Sequence, residues 1–271
     1  MVGLHRSICL ILLAAARAYG LEFSSAAISD PGQLQGPTLS PAASYQSLAV
    51  FPEQLLYNVS WGGIQVGQAS LNVKEIVEFS SRPAYHITSQ ASSNKFWDAF
   101  YKVRDFNESW LDANTLSSLG YSKKLREGGY FRDEWVLYDT PSQRFLAKSI
   151  SRDGSFSYQG GTVPVVVQDV LSSLYYIRAQ KLTPGAEIIL DVNTKKNWPL
   201  VVRIIKKEEI STPAGKFSTI LVEPAIRQEG IFIQKGKHLQ VWLSDDAKKV
   251  PVLLKVEVFF GHISARLLKM L

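Results

Sequence analysis

EQLLYNVSWGGIQVGQASLNVK (residues 53–74) decides the fold class. Leu55, Tyr57, Val59 and Trp61 alternate with Gln54, Leu56, Asn58 and Ser60, the period of two that a half-buried strand produces. Gly62-Gly63 permits a turn or bulge, and Ala69, Leu71 and Val73 against Ser70, Asn72 and Lys74 resume the alternation as the next strand. Gly67 inside the second strand suggests a bulge or a close backbone approach.

The same signal recurs near 84–91, 105–111, 119–126, 130–138, 144–151, 186–193, 200–210, 216–223, 239–243, 250–260 and 262–268. Many short strands joined by turns predict a mainly β protein, with an antiparallel curved sheet that is barrel-like or folded as a sandwich. One segment departs from this. Val167, Val170, Leu171, Leu174 and Ile177 recur at helical spacing, predicting one amphipathic helix over about 166–182. Asp169 in its first turn and Arg178 and Lys181 toward its end suit the helix dipole, and Pro184-Gly185 stops it. Asn94–Tyr101 reads equally as a short helical turn or as an aromatic strand.

Residues 1–20, MVGLHRSICLILLAAARAYG, have the form of a secretory signal peptide, with a basic start, a short apolar run and small residues suited to cleavage. The apolar run is too short to span a bilayer, and no later segment has the roughly 18–20 apolar residues required. Cys9, the one cysteine, lies inside it. Residues 21–50, rich in Ser, Ala, Pro and Gly, read as a flexible linker, leaving 53–271 as a single β-rich domain. An exported location is expected. A net charge of +6 is spread over pairs such as Lys123-Lys124, Lys195-Lys196, Lys206-Lys207 and Lys248-Lys249, which read as solvated turns and strand ends rather than a nucleic-acid footprint. Weak attraction to anionic membrane surfaces or envelope polymers is compatible with that balance.

Motifs for catalysis are sparse. In LSDDAKKVPVLLKV (243–256), Asp245-Asp246 stand between two alternating runs, where short oxygen-bearing side chains bond their own backbone in a hairpin loop. Adjacent carboxylates on an extended chain point apart, which argues against a catalytic pair. His86, His238 and His262 lack ligand spacing and read as structural residues, so neither a metal nor a cofactor is expected. Aromatic residues on strands stand out, and the run 130–138 is apolar on both parities. Core packing with cross-strand pairing is the readier account of such residues, and a concave apolar pocket is the sharper alternative. For a pocket the candidate ligand-binding residues are Trp61, Trp110, Tyr130, Trp135 and Trp242, with Arg126 to orient a head group.

YNVSWGGIQVGQASLNV (57–73), WLDANTLSSLGYSKKLREGGYFRDEWVLYD (110–139), DVLSSLYYIR (169–178), STPAGKF (211–217) and VWLSDDAKKVPVLLKVEVFFGHISARL (241–267) together resemble one family. It is the bacterial exported family known as domain of unknown function 3108, and the resemblance covers about 53–269 in collinear order. It implies an exported envelope protein with a β-rich fold, and brings no catalytic residues with it. The leading expectation is a non-enzymatic protein that binds an apolar or amphipathic ligand such as lipid, by analogy with half-barrel carriers closed by a helix. An alternative is an envelope scaffold binding another protein or a glycan. A third is a hydrolase using Glu127, Glu134, Asp245 and Asp246, which requires a second carboxylate across a cleft.

Overall fold

A computed structural model describes residues 52–226, 239–258 and 260–271. The signal-like segment 1–20 with Cys9, the linker 21–50 and His238 lie outside the described residues. The chain forms β1 (Glu53–Trp61), β2 (Ile64–Phe79), β3 (Arg82–Ser93), α1 (Lys95–Asp98), β4 (Arg104–Asp112), β5 (Ser118–Glu127), β6 (Tyr130–Asp139), β7 (Arg144–Ile150) and β8 (Phe156–Thr162). Helix α2 (Val170–Ala179) follows, then β9 (Glu187–Asn193), β10 (Asn197–Thr212), β11 (Gly215–Ile226), β12 (Leu239–Ser244), β13 (Pro251–Glu257) and β14 (His262–Met270).

All fourteen strands belong to one sheet, in the order β8-β7-β6-β5-β4-β3-β2-β1-β14-β13-β12-β11-β10-β9. Of the alternatives left open by the sequence, the single curved sheet is found and the two-sheet sandwich is not. Every neighbour follows its predecessor in the chain except at β1–β14, where the two ends of the domain pair antiparallel from Leu55↔Met270 to Trp61↔Ile263. Register shifts in β1, β2, β4, β10 and β12 bend the sheet, as bulges do. Gly67 provides the close approach its position suggests: a Cβ there would lie 2.2 Å from the Ser92 carbonyl oxygen.

The edges β8 and β9 are not hydrogen-bonded to each other in the ladder. The chain after β8 spans this seam instead: Gln168 N donates to Asp191 O (2.8 Å) and Asn193 N to Gln168 O (2.8 Å). Asn197 Nδ2 donates to Thr162 O (2.8 Å) and the Tyr138 hydroxyl to Asn193 O (2.8 Å).

Antiparallel order puts the turns after β1, β5, β7, β9 and β13, together with α1, at one end of the sheet. Helix α2 closes the other. Its side chains Leu171, Tyr175 and Ile177 join Tyr57, Leu71, Tyr85, Ile87, Leu111, Leu254 and Leu267 in the main core. Two buried anchors fix it. Asp169 is the N-cap, its Oδ1 accepting from the backbone of Leu171 (2.8 Å) and Ser172 (3.1 Å) while Oδ2 accepts from the hydroxyls of Ser109 and Ser118 (2.6 Å each). Burial still holds this carboxyl above the usual aspartate range. At the far end Arg178 donates to both oxygens of Glu53 (2.8 and 2.5 Å) and to the Lys248 carbonyl, and the Tyr175 hydroxyl joins at 3.1 Å.

The helix is shorter than its predicted span because the Asp169 cap starts it and residues before the cap are drawn into the seam. It is also less one-sided: Ser172, Ser173 and Arg178 are buried beside Leu171, Tyr175 and Ile177. Arg178 is an internal ion-pair partner of Glu53 rather than a surface charge at a helix terminus. β8 was missed because FSYQGGT is a polar, glycine-bearing edge strand exposed on both faces, so it carries no alternation.

Arg178→Met should destabilise the protein by about 3–5 kcal/mol in urea unfolding, because Glu53 is then buried without its cation. Adding Glu53→Leu to that variant should restore most of the loss, since the pair is removed together.

Candidate functional site

The end opposite α2 is built around a fixed aromatic contact. Gly62 and Gly63 take positive φ (55° and 90°) and turn β1 into β2, placing Trp61 at the rim. Its indole donates to the Phe260 carbonyl (2.8 Å), and its ring meets Trp97 of α1 edge-on at 6.1 Å. Asn94 caps α1 by accepting from Trp97 N (3.0 Å), and Asp98 is held by Ser93 and by Arg104 (2.5 Å). With Trp97 turned onto the core, Phe96 and Phe100 point to solvent, their rings 5.5 Å apart.

Among the described residues the exposed phenylalanines are Phe96, Phe100, Phe156 and Phe260. All four lie at this end, with exposed Ile64 beside them in the chain order of the β1–β2 turn. Scattered apolar side chains on a surface are ordinary, and Val165, Val166, Met270 and Leu271 are exposed toward the α2 end, whereas the exposed aromatic rings gather at this one and mark a contact region.

Near the same end a charge cluster lies on the concave face. The turn at Gly128-Gly129 sets Lys123 of β5 opposite Glu134 of β6. Lys123 Nζ lies 2.9 Å from Glu134 Oε1, Lys195 from the β9–β10 turn pairs with Oε2, and Arg132 stands at 3.6 Å. The Tyr121 hydroxyl (2.8 Å) and Ser149 hydroxyl (3.2 Å) also donate to this carboxylate, and Lys195 Nζ donates to Ser149 (2.7 Å). Burial by itself would raise the Glu134 pKa, but the ammonium groups of Lys123 and Lys195 prevail and hold it at about 2. Burial draws Lys195 below the usual lysine range despite that attraction. The arrangement orders a carboxylate among cations across the seam.

The six ligand candidates do not converge on one pocket. Trp61 and Tyr130 stand at the aromatic end. Arg126 is on the outer face, its guanidinium 3.6 Å over the Phe131 ring and 2.6 Å from Asp133. Trp110 is buried on the outer face between Phe79 and His86, and Trp242 packs with Leu221 and Leu253 while its indole donates to Glu208 (2.8 Å). Trp135 alternates with inward Glu134 and therefore also faces outward. Period two reveals alternation but not which parity is concave, and this is why the set was mixed.

Residues that sequence reasoning passed over are Phe96, Phe100, Phe156 and Phe260 at the rim, and Lys123 and Lys195 inside. Lys123 is buried, contrary to its expected place in a solvated pair. Asp245 and Asp246 behave as a turn: Asp246 Oδ1 accepts from the backbone of Lys248 and Lys249 (2.9 Å each), while Asp245 pairs with Lys207 (2.6 Å). His86 stacks on Trp110 and pairs with Glu108 at 3.1 Å. Among the described residues no group of three or more His, Cys, Asp or Glu side chains is placed to hold a metal.

Because the folded-state pKa of Glu134 lies below its ordinary 4.5, its stabilisation is present above that pH and is lost as pH falls toward 2. Glu134→Gln should cost about 3 kcal/mol or more at neutral pH and flatten the stability profile in this acid range, read by urea unfolding at a series of pH values.

Comparison with known proteins agrees with this architecture. A β-barrel-like protein of the unknown-function family DUF1849 from Brucella abortus superposes with a TM-score of 0.50 at 9% identity, covering 81% of this chain and 96% of its own. A Bacteroides fragilis protein with a YmcC-like fold, assigned as exported, gives 0.35 at 10% identity, with 81% and 95% covered. A Parabacteroides distasonis protein assigned as a lipoprotein gives 0.33 at 11%, with 81% and 95% covered. No curated protein matches the chain. No helix among the described residues is long and apolar enough to cross a membrane. The model of the family described as "Protein of unknown function (DUF3108)" matches residues 56–268, and with that span, most of the β-rich domain, the chain belongs to the DUF3108 family.

Proposed function

We propose that the chain is an exported cell-envelope protein that binds an amphipathic ligand, such as a lipid, without catalysing a reaction on it. The observation that supports this most is the confinement of Phe96, Phe100, Phe156 and Phe260 to the end of the sheet opposite α2. Rings kept in water at one end are stabilised when an apolar chain covers them, at roughly 25 cal/mol per Å² removed from solvent. Export is supported by the signal-peptide form of residues 1–20, and an exported chain would meet envelope lipids. The charged residues noted above are engaged in ion pairs and turns, which suits binding better than proton transfer.

The test is native mass spectrometry of protein purified gently from its envelope fraction, followed by organic extraction. An amphiphile of defined mass is expected on the wild type. It should be depleted in the Phe96→Ser/Phe100→Ser variant and retained in Trp135→Ala, whose ring faces away. A clean ligand-free mass for the wild type would overturn the proposal and move the weight to an envelope interaction protein.

A further inference from the structure

We infer that α1 is a docking wedge for an anionic phospholipid bilayer, which gives the aromatic end a second partner beyond a single bound amphiphile. The inference rests on the amphiphile-binding reading only in using the same end of the sheet.

The wedge is preformed. Asn94 caps it, the Ser93–Asp98–Arg104 contacts fasten its back, and the Trp61–Trp97 contact fixes its rotation. Phe96 in α1 and Phe100 in the turn that continues it, four residues apart, are thereby held outward at 68% and 71% exposure. Insertion of a rigid pair loses little conformational freedom. Exposed Phe260, whose carbonyl holds Trp61, extends the apolar contact on the neighbouring turn.

Charge selects the occupant. Lys95 and Lys102 flank the phenylalanine pair, both exposed, and among the described residues neither forms a salt bridge. Aromatic rings between cations match a bilayer surface, where rings enter the acyl boundary and ammonium groups stay with phosphate. A second copy of this chain set against the same surface would bring its own Lys95 and Lys102 toward these, so self-association is disfavoured. A neutral bilayer would engage the rings but offer the lysines no negative charge beyond that of Asp98, which lies within electrostatic reach of Lys102.

The probe is co-sedimentation of the purified protein with phosphatidylcholine vesicles, alone or with about a third phosphatidylglycerol. The wild type should bind the anionic vesicles about tenfold more tightly or better, an advantage that falls with added salt. Phe96→Ser/Phe100→Ser should reduce binding to both vesicles about tenfold, with an unchanged melting temperature because both rings are exposed. Lys95→Glu/Lys102→Glu should abolish the anionic preference while leaving weak binding to neutral vesicles. Equal binding by the phenylalanine variant, or no binding by the wild type, overturns the inference. Concentration-dependent dimerisation that the phenylalanine variant removes would overturn it in favour of a second copy. Retention of an extractable amphiphile without vesicle binding would sink the docking inference alone, whereas vesicle binding by a ligand-free protein would sink the carrier reading alone.

Discussion

A sheet of fourteen strands that curves onto one face has to fill that face, and here a single ten-residue helix does much of the filling at one end. A helix this short is not stable by itself in water, so its position depends on what holds its termini. Asp169 and Arg178 supply this from inside the core, one reaching Ser109 and Ser118 on β4 and β5, the other Glu53 on β1. Apolar contact alone is non-directional and would tolerate a rotated or shifted helix. The buried polar anchors remove those alternatives, because each misplacement would strand a charge.

The far end is organised by the opposite logic. Charges are again gathered inside, with Lys123, Lys195 and Arg132 about Glu134, but they tie the β9–β10 turn to β5 and β6 across a seam that has no strand ladder. Above them the outward groups are aromatic. One end is thus pinned shut by a helix, and the other presents phenylalanine to solvent on a rigid frame. That asymmetry separates the two ends of an otherwise regular meander.

Much of the fold was legible because most strands bury one face and therefore alternate, as Leu55, Tyr57 and Val59 do. β8 was not, since an exposed edge strand has no buried face to write into its sequence. The helix was legible from its apolar spacing, but Arg178 was not, since an arginine near a helix end suits the dipole whether it is exposed or buried. The Lys123–Glu134 pairing was within reach, because a two-glycine turn at 128–129 fixes the register of β5 and β6. Lys195 was beyond reach, since it arrives from across the seam. The aromatic wedge went unread because Asn94–Tyr101 fits a strand as well as a helix, and only a helix places Phe96 and Phe100 on one side.

The β1–β14 pairing has a bearing on how the chain is made. β1 comes early, and one of its two neighbours, β14, is the last of the described strands, roughly two hundred residues later in the chain. Until then β1 is a long, alternating strand with one open edge in the middle of the future sheet, able to template pairing with another nascent chain. A sheet with this order cannot mature outward from a finished centre: its centre is finished last. The β1 edge therefore stays unpaired until β14 is available to cover it.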